Sequence, residues 1–91
     1  MVHKLKCIQP YFDDVRLGRK TFEVRKDDRN YQVGDRLDIF VGSEDIVDDG
    51  KYRPHVHLWV SYKLSGGNFG IEEGYCVLGL TFIEPEKGNI H

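Results

Sequence analysis

Lysine, glutamate and arginine side chains fall within six consecutive positions of this chain, at Lys20, Glu23 and Arg25. A guanidinium can hold a phosphate or carboxylate through two parallel hydrogen bonds, and a neighbouring carboxylate can orient that guanidinium. An ammonium adds a point charge or serves as a base. The three residues predict an anion-binding cleft. The alternative is an exposed Glu–Arg pair, which would contribute about 0–1 kcal/mol to stability.

The three side chains converge only in a particular local geometry. Residues 23 and 25 of a strand share one face, whereas residue 20 of the same strand would point to the other face. Lys20 joins them if the strand begins after it, or if a bulge turns it. Gly18 is a natural end for a preceding helix, so we expect a turn at Lys20.

Further candidates flank this cleft. Lys26 and Arg29 would guide a phosphate backbone toward it, although charges in a turn can also be merely solvated. Tyr75 follows a glycine-containing segment and would close over a bound base, unless it is a core aromatic. We take Lys20, Glu23, Arg25, Lys26, Arg29 and Tyr75 as the candidate ligand-binding residues.

Other reactive residue types have simpler interpretations. Trp59 would stack on a base, with each stack contributing about 1–3 kcal/mol, or it would pack under the helix. His55 and His57 have a zinc-compatible spacing, but no third ligand is evident nearby. Cys7 and Cys76 are expected to be reduced core thiols on neighbouring strands. We therefore expect no metal and no cofactor.

The bulk composition restricts the class of protein. A chain of 91 residues is expected to form one domain, 1–91. It has no apolar run near the length of about 18 residues that spans a membrane, and residues 1–6 lack a signal-peptide core. These features predict a cytoplasmic monomer without membrane contact. The net charge of −2 argues against nonspecific nucleic-acid binding, but residues 16–36 carry seven basic and four acidic residues, which fits a local anion-binding surface.

The hydrophobic pattern predicts a mainly β (α+β) fold, a small barrel of about five strands with one short N-terminal helix. Glycine and polar clusters separate the elements, the longest being an acidic loop over 42–53. Residues 84–91 read as a flexible tail. The predicted strands cover Lys4–Ile8, Thr21–Lys26, Arg36–Val41, His55–Leu64 and Tyr75–Ile83, and the helix covers Pro10–Leu17.

The spacing of Gly18, Lys20, Glu23 and Arg25, followed by Val33-Gly34-Asp35, resembles the motif of the ASCH domain family. The resemblance spans most of the chain outside the acidic loop and the tail. It implies a barrel of the PUA-like superfamily, whose members mostly recognise RNA or modified nucleotides. It also implies that the motif residues lie in a ligand cleft.

Three functions follow as hypotheses. The first is an RNA- or nucleotide-binding module. The second is a hydrolase acting on RNA or a modified nucleoside, of ribonuclease or amidohydrolase type, with Lys20 and Glu23 as catalytic residues. The chain is similar to a small ASCH-like branch of unknown function. One enzymatic branch of the family uses a threonine nucleophile, and Glu23 occupies that position here, which argues against an amidohydrolase. The third is an adaptor that binds a protein through the acidic segment 44–49 or the face of Trp59.

Overall fold

The computed structural model of the chain describes residues 1–42 and 53–85. These residues confirm a mainly β fold with five strands and one short helix. The acidic loop and the tail fall largely outside the described residues. Within that part of the chain, no helix is long and apolar enough to cross a membrane. The elements are β1 (Val2–Cys7), α1 (Tyr11–Arg16), β2 (Phe22–Lys26), β3 (Arg36–Val41), β4 (His55–Ser65) and β5 (Tyr75–Thr81).

The strands form one mixed sheet in the order β1-β3-β4-β5-β2, which curls into a half-barrel. β1 runs parallel to β3, and the other neighbours are antiparallel. The connection through α1 carries the chain from one edge of the sheet, β1, to the opposite edge, β2. The two edge strands therefore follow each other in sequence. Of the predicted charged cluster, Lys20 lies between them, and Glu23 and Arg25 lie on β2.

The core fills the concave inner face of the sheet. Alternate residues of each strand point into it, as the period of two requires, and α1 adds Phe12 and Val15. Pro10 precedes the helix rather than starting it, and Tyr11 is exposed. The other buried apolar residues include Leu5, Tyr31, Leu37, Ile39, Leu58, Val60, Cys76 and Leu78.

β2 places its charged residues inward and its apolar residues outward. Glu23 pairs across the sheet with the buried Leu78, so its side chain points to the inner face. Phe22 and Val24 consequently point to the outer face, where both are exposed. This orientation is the reverse of the usual arrangement of a half-buried strand.

A β-bulge divides β4 after Val60. The register passes from Val60–Leu80 to Tyr62–Gly79, so one extra residue, Ser61, shifts the alternation. Regular alternation through the predicted strand His55–Leu64 would place Tyr62 on the inner face with Leu58 and Val60, and this expectation is wrong because Tyr62 turns outward. Lys63 turns inward instead, where its Nζ donates to the carbonyl of Tyr31 at 3.0 Å.

Two smaller expectations need correction. Cys7 and Cys76 are free and buried, as predicted, but they lie on β1 and β5, which β3 and β4 separate. Trp59 alternates with Leu58 and Val60, which face the core together with the helix residues. It therefore lies on the face of the sheet opposite the helix and does not pack under it.

Two aspartates stabilise the turn before β3 and the outer face of β3. Asp35 Oδ2 lies 2.8 Å from His3 Nε2 and accepts from the amide of Gln32 at 3.0 Å. Burial alone would raise the pKa of Asp35, but these hydrogen bonds outweigh burial and leave the pKa below its usual value. Asp38 accepts two hydrogen bonds from Arg36, at 2.9 and 3.0 Å, and these likewise lower the pKa of Asp38.

We expect alanine at Gly66 to destabilise the fold more than alanine at Gly79. A Cβ on Gly66 would collide with the carbonyl oxygen of Glu72 and lie 2.6 Å from that of Tyr75, both backbone atoms. A Cβ on Gly79 would lie 3.0 Å from the Ser61 hydroxyl. Overpacking typically costs about 1–3 kcal/mol, so we expect Gly66→Ala at or above the upper end and Gly79→Ala near the lower end.

Urea denaturation of both variants measures this difference in the free energy of unfolding. Adding Ser61→Ala to Gly79→Ala removes the hydroxyl contact and should restore part of the loss. A Gly66→Ala protein as stable as the unmodified chain would contradict the described geometry.

Stability should also fall in acid. A carboxyl whose pKa is lowered by folding contributes stability above its unfolded pKa of about 3.9, and that contribution is lost as pH falls through the folded pKa. Because the pKa values of Asp35 and Asp38 are both lowered, the free energy of unfolding should decrease below about pH 4. Asp38→Asn, and separately Asp35→Asn, should make the decrease shallower in denaturation curves recorded from pH 2 to 6, whereas an unchanged slope in both variants would contradict these assignments.

Candidate functional site

A tight reversal after α1 positions Lys20. Gly18 adopts a φ of +77°, which glycine allows without strain, and it turns the chain back. The amides of Arg19 and Lys20 then both donate to the carbonyl of Asp14, at 2.8 and 2.9 Å. Since β2 begins only at Phe22, Lys20 lies outside the strand. The alternation of side chains along β2 therefore does not determine the direction of the Lys20 side chain.

Lys20, Glu23 and Arg25 come together, and we refer to them as the charged triad. Lys20 Nζ donates to Glu23 Oε1 at 2.7 Å, and Arg25 Nε donates to Glu23 Oε2 at 3.0 Å. The Glu23 residue is only 4% exposed. A carboxylate at this depth is tolerated when both oxygens are paired. The predicted convergence is thus present, because the strand starts after Lys20.

Arginine side chains also join the two edges of the sheet, along a line we call the seam. Arg25 Nη2 donates to the carbonyl of Lys6, and Arg29 Nη1 donates to the carbonyl of Lys4, both at 2.7 Å. The carbonyls of a parallel strand point alternately to its two sides. The carbonyl of Cys7 points toward β3, since it accepts from the amide of Gly42, the residue after β3. The carbonyls of Lys4 and Lys6 therefore point to the opposite side, the outer edge of β1. The two arginines therefore satisfy carbonyls on the side of β1 that faces away from β3.

A hollow of about 350 Å³ lies beside the seam, and we call it the seam hollow. Its volume falls in the range of small-molecule sites, about 300–1,000 Å³. The amide of Asp27 donates to the carbonyl of Gly74 at 2.8 Å, which holds the turn after β2 against the segment before β5. The lining residues are Leu5, Arg25, Lys26, Asp28, Arg29, Tyr31 and Tyr75.

The two arginines of the hollow differ in what they can still bind. Arg25 uses Nε and Nη2, the pair of donors that forms one side of the guanidinium, for Glu23 and the carbonyl of Lys6. Arg29 uses Nη1 for the carbonyl of Lys4. Its Nε and Nη2 form no hydrogen bond to any residue that the structure describes. The two-donor grip expected of Arg25 is therefore better supplied by Arg29.

Two tyrosines give the hollow its aromatic walls. Tyr31 is buried, with its ring edge-on to that of His3 at 4.8 Å. Burial raises the pKa of Tyr31, an effect that the positive charges of Arg29 and Arg25 partly oppose. Its hydroxyl thus stays protonated and forms no hydrogen bond within residues 1–42 and 53–85. Tyr75 is 37% exposed at the rim.

Cys7 lies close to the charged triad but is not set up as a nucleophile. Burial and the charge of Glu23 raise its pKa, outweighing the opposite effect of Lys20 and Arg25. A thiol must ionise to attack or to bind a metal. The described part of the chain also holds no group of three or more histidine, cysteine or acidic side chains arranged around a metal position.

The structure divides the predicted site residues between two adjacent places. Lys20 and Glu23 belong to the charged triad and do not line the hollow. Arg25 belongs to both places, and Lys26, Arg29 and Tyr75 line the hollow. Sequence reasoning missed three lining residues, Leu5, Asp28 and Tyr31, because turn residues carry no periodic signal and Leu5 reads simply as core. The acidic segment 44–49 proposed for an adaptor lies outside the described residues.

Comparison with known proteins gives one result. Residues 2–80 match a family described as a domain of unknown function, DUF3850. The chain belongs to this family. No curated protein matches the chain. The matched residues include both the charged triad and the seam hollow. The family description gives no activity for either place and does not mention ASCH domains, so the ASCH resemblance stays a prediction.

Glu23→Ala should destabilise the fold by about 3 kcal/mol, because it leaves two partly buried cations facing each other without their shared carboxylate. Asp13→Ala is a matched control, since the exposed pair of Asp13 with Arg16 should contribute less than about 1 kcal/mol. Urea denaturation compares the two free energies of unfolding. Equal small losses would show that the charged triad does not stabilise the sheet edges.

Proposed function

We propose that this protein binds RNA or a nucleotide through the seam hollow. The observation that carries the proposal is the composition of one small cavity. Three basic side chains, Arg25, Lys26 and Arg29, line it together with Tyr31 and Tyr75. Cations suited to phosphate beside aromatic rings suited to bases are the usual combination in single-strand binding sites.

Each lining group has a role in this proposal. Arg29 holds a phosphate through Nε and Nη2, and Lys26 adds a mobile positive charge at the rim. Tyr75 stacks on the base. Asp28 accepts from an amino group of the base edge, and the Tyr31 hydroxyl donates to the ligand.

Binding is favoured over hydrolysis by the pairing of the candidate catalytic residues. Lys20 and Glu23 would have to serve as base and proton carrier. They bond to each other at 2.7 Å, and Lys20 also donates to the carbonyl of Phe22 at 2.8 Å. Because Lys20 donates to one oxygen of Glu23 and Arg25 donates to the other, this arrangement orients the Arg25 side chain. The ASCH resemblance of residues 18–25 supports the same proposal, since it implies a ligand cleft at this edge.

Lys26→Ala should weaken binding of a fluorescein-labelled hexauridylate and reduce its salt dependence. Each phosphate contact to a single strand contributes about 0.7 to the slope of log K against log salt concentration, so we expect the slope to become shallower by about that amount. Lys26 forms no side-chain hydrogen bond in the described residues, so the fold should be unaffected. Fluorescence anisotropy between 50 and 200 mM salt, roughly the range over which such contacts are resolved, measures both effects.

Arg16→Ala is the control, because it removes a positive charge from α1, where Arg16 forms an exposed pair with Asp13 and does not line the hollow. Its slope should equal that of the unmodified protein. Tyr75→Ala should weaken binding with the salt slope unchanged. Absence of binding to hexauridylate and to uridine monophosphate at low salt would refute the proposed function.

A further inference from the structure

The outer face of β2, β5 and β4 carries apolar side chains that the core does not use. Phe22 is 45%, Val24 54% and Tyr62 66% exposed. Contiguous exposed apolar side chains on a sheet generally mark an interaction surface. We define the outer apolar face by the residues Phe22, Val24, Tyr62, Leu64 and Val77.

The register arranges this face in parallel rows. Phe22, Gly79 and Tyr62 lie directly opposite one another across the three strands, and Val24, Val77 and Leu64 form the next row. Rows two residues apart along a strand are separated by about 6.6 Å. Gly79 leaves the middle of the first row without a side chain, so the rings of Phe22 and Tyr62 flank a low point.

A third row connects the outer apolar face to the seam hollow. Lys26 and Tyr75 are directly opposite each other on β2 and β5, one row beyond Val24 and Val77. Both line the hollow. The hollow and the face thus form one continuous surface, along which the first and third rows lie about 13 Å apart.

Charge favours a polyanion as the occupant. Lys20 Nζ lies 5.0 Å from the centroid of the Phe22 ring, and Lys26 stands at the opposite end of β2. Glu23, the acid between them, points to the inner face. If a second copy of the chain covered this face with its β2 antiparallel to the first, Lys20 of each copy would approach Lys26 of the other, and the like charges would repel. A flat face with aromatic rings and flanking lysines instead suits stacked bases with an adjoining phosphate backbone.

From these observations we infer that the outer apolar face extends the nucleotide site into a track for single-stranded RNA. One nucleotide occupies the seam hollow, the next lies over the row of Val24, Val77 and Leu64, and the third lies over the row of Phe22, Gly79 and Tyr62. Sheets that bind RNA in this manner stack about two or three bases on their aromatic side chains. The inference rests on the proposed function, and it specifies an oligonucleotide rather than a mononucleotide as the ligand.

The experiment compares uridine mono-, tri- and hexanucleotides binding to the unmodified protein and to Phe22→Ser and Tyr62→Ser. Affinity should rise from the mononucleotide to the trinucleotide and then level off. Each substitution should weaken trinucleotide binding by about 5-fold or more, the smaller end of a lost stack. Neither should change binding of the mononucleotide, which reports on the hollow alone. Tyr11→Ser, at an exposed tyrosine on α1, is the control and should leave every affinity unchanged.

The possible failures are distinguishable. If the mononucleotide binds but the trinucleotide binds no better, or if both serine variants bind the trinucleotide normally, the track is refuted and the proposed function stands. If none of the nucleotides binds, the proposed function fails and the track fails with it. If sedimentation shows a dimer that Phe22→Ser and Tyr62→Ser dissociate while trinucleotide affinity is unchanged, the face is a self-association surface and the track is refuted.

A duplex provides a further check. Its bases are already paired and stacked, so they cannot lie flat on Phe22 and Tyr62. We expect a duplex of mixed sequence to bind at least about 10-fold more weakly than its separate strands, because the stacking contribution is lost. Equal binding of duplex and single strand would overturn the inference.

Discussion

The two hydrogen bonds from Arg25 and Arg29 to the free edge of β1 are the interaction on which the rest of this site depends. A five-stranded sheet that only half closes leaves a row of unpaired carbonyls on each edge strand. Here the carbonyls of Lys4 and Lys6 accept from guanidinium groups at 2.7 Å. Both hydrogen bonds are solvent-exposed, so each contributes modestly to stability. Together these side chains take the place of the missing strand pairing between the two edges.

This way of closing the sheet has a direct consequence for function. A guanidinium has five donors, and an edge carbonyl occupies one of them. The remaining donors of Arg29 stay beside the seam, next to Lys26 and the tyrosines. The buried carboxylate of Glu23 has a complementary role, since it neutralises Lys20 and fixes the direction of Arg25. The same cations thus join the sheet edges and give the hollow its positive charge, on a chain whose net charge is −2.

Local sequence signals predicted much of this structure. Alternating apolar residues placed all five strands within a few residues, and Gly18 correctly ended the short helix. Alternation could not predict which side of β2 faces the core. Phe22 and Val24 would normally point inward, and the side is decided by pairing with β5, a contact distant in sequence. The bulge at Ser61 had no local signal either, and regular alternation through this strand would place Tyr62 and Lys63 on the wrong faces.

The candidate site, too, was predictable where local sequence determines it and unpredictable where long-range contacts do. The spacing of Lys20, Glu23 and Arg25 was sufficient to predict that their charges meet, because the turn at Gly18 is encoded nearby. The hollow was only partly predictable, since Tyr31 and Asp28 reach it from an irregular turn that the inward-facing Lys63 and the amide of Asp27 hold in place. Leu5 comes from the opposite edge strand. Long-range contacts of this kind leave no periodic trace in a sequence.

The most direct measurement is an NMR titration that follows the side-chain Nε–H signals of the arginines as uridine monophosphate is added. If the seam hollow is the ligand site, the signals of Arg25 and Arg29 should shift together and saturate with one dissociation constant. Those of Arg16 on α1, and of Arg36 paired with Asp38, should stay in place. Shifts confined to Arg16 or Arg36, or no shift at the seam while ligand demonstrably binds, would contradict this account.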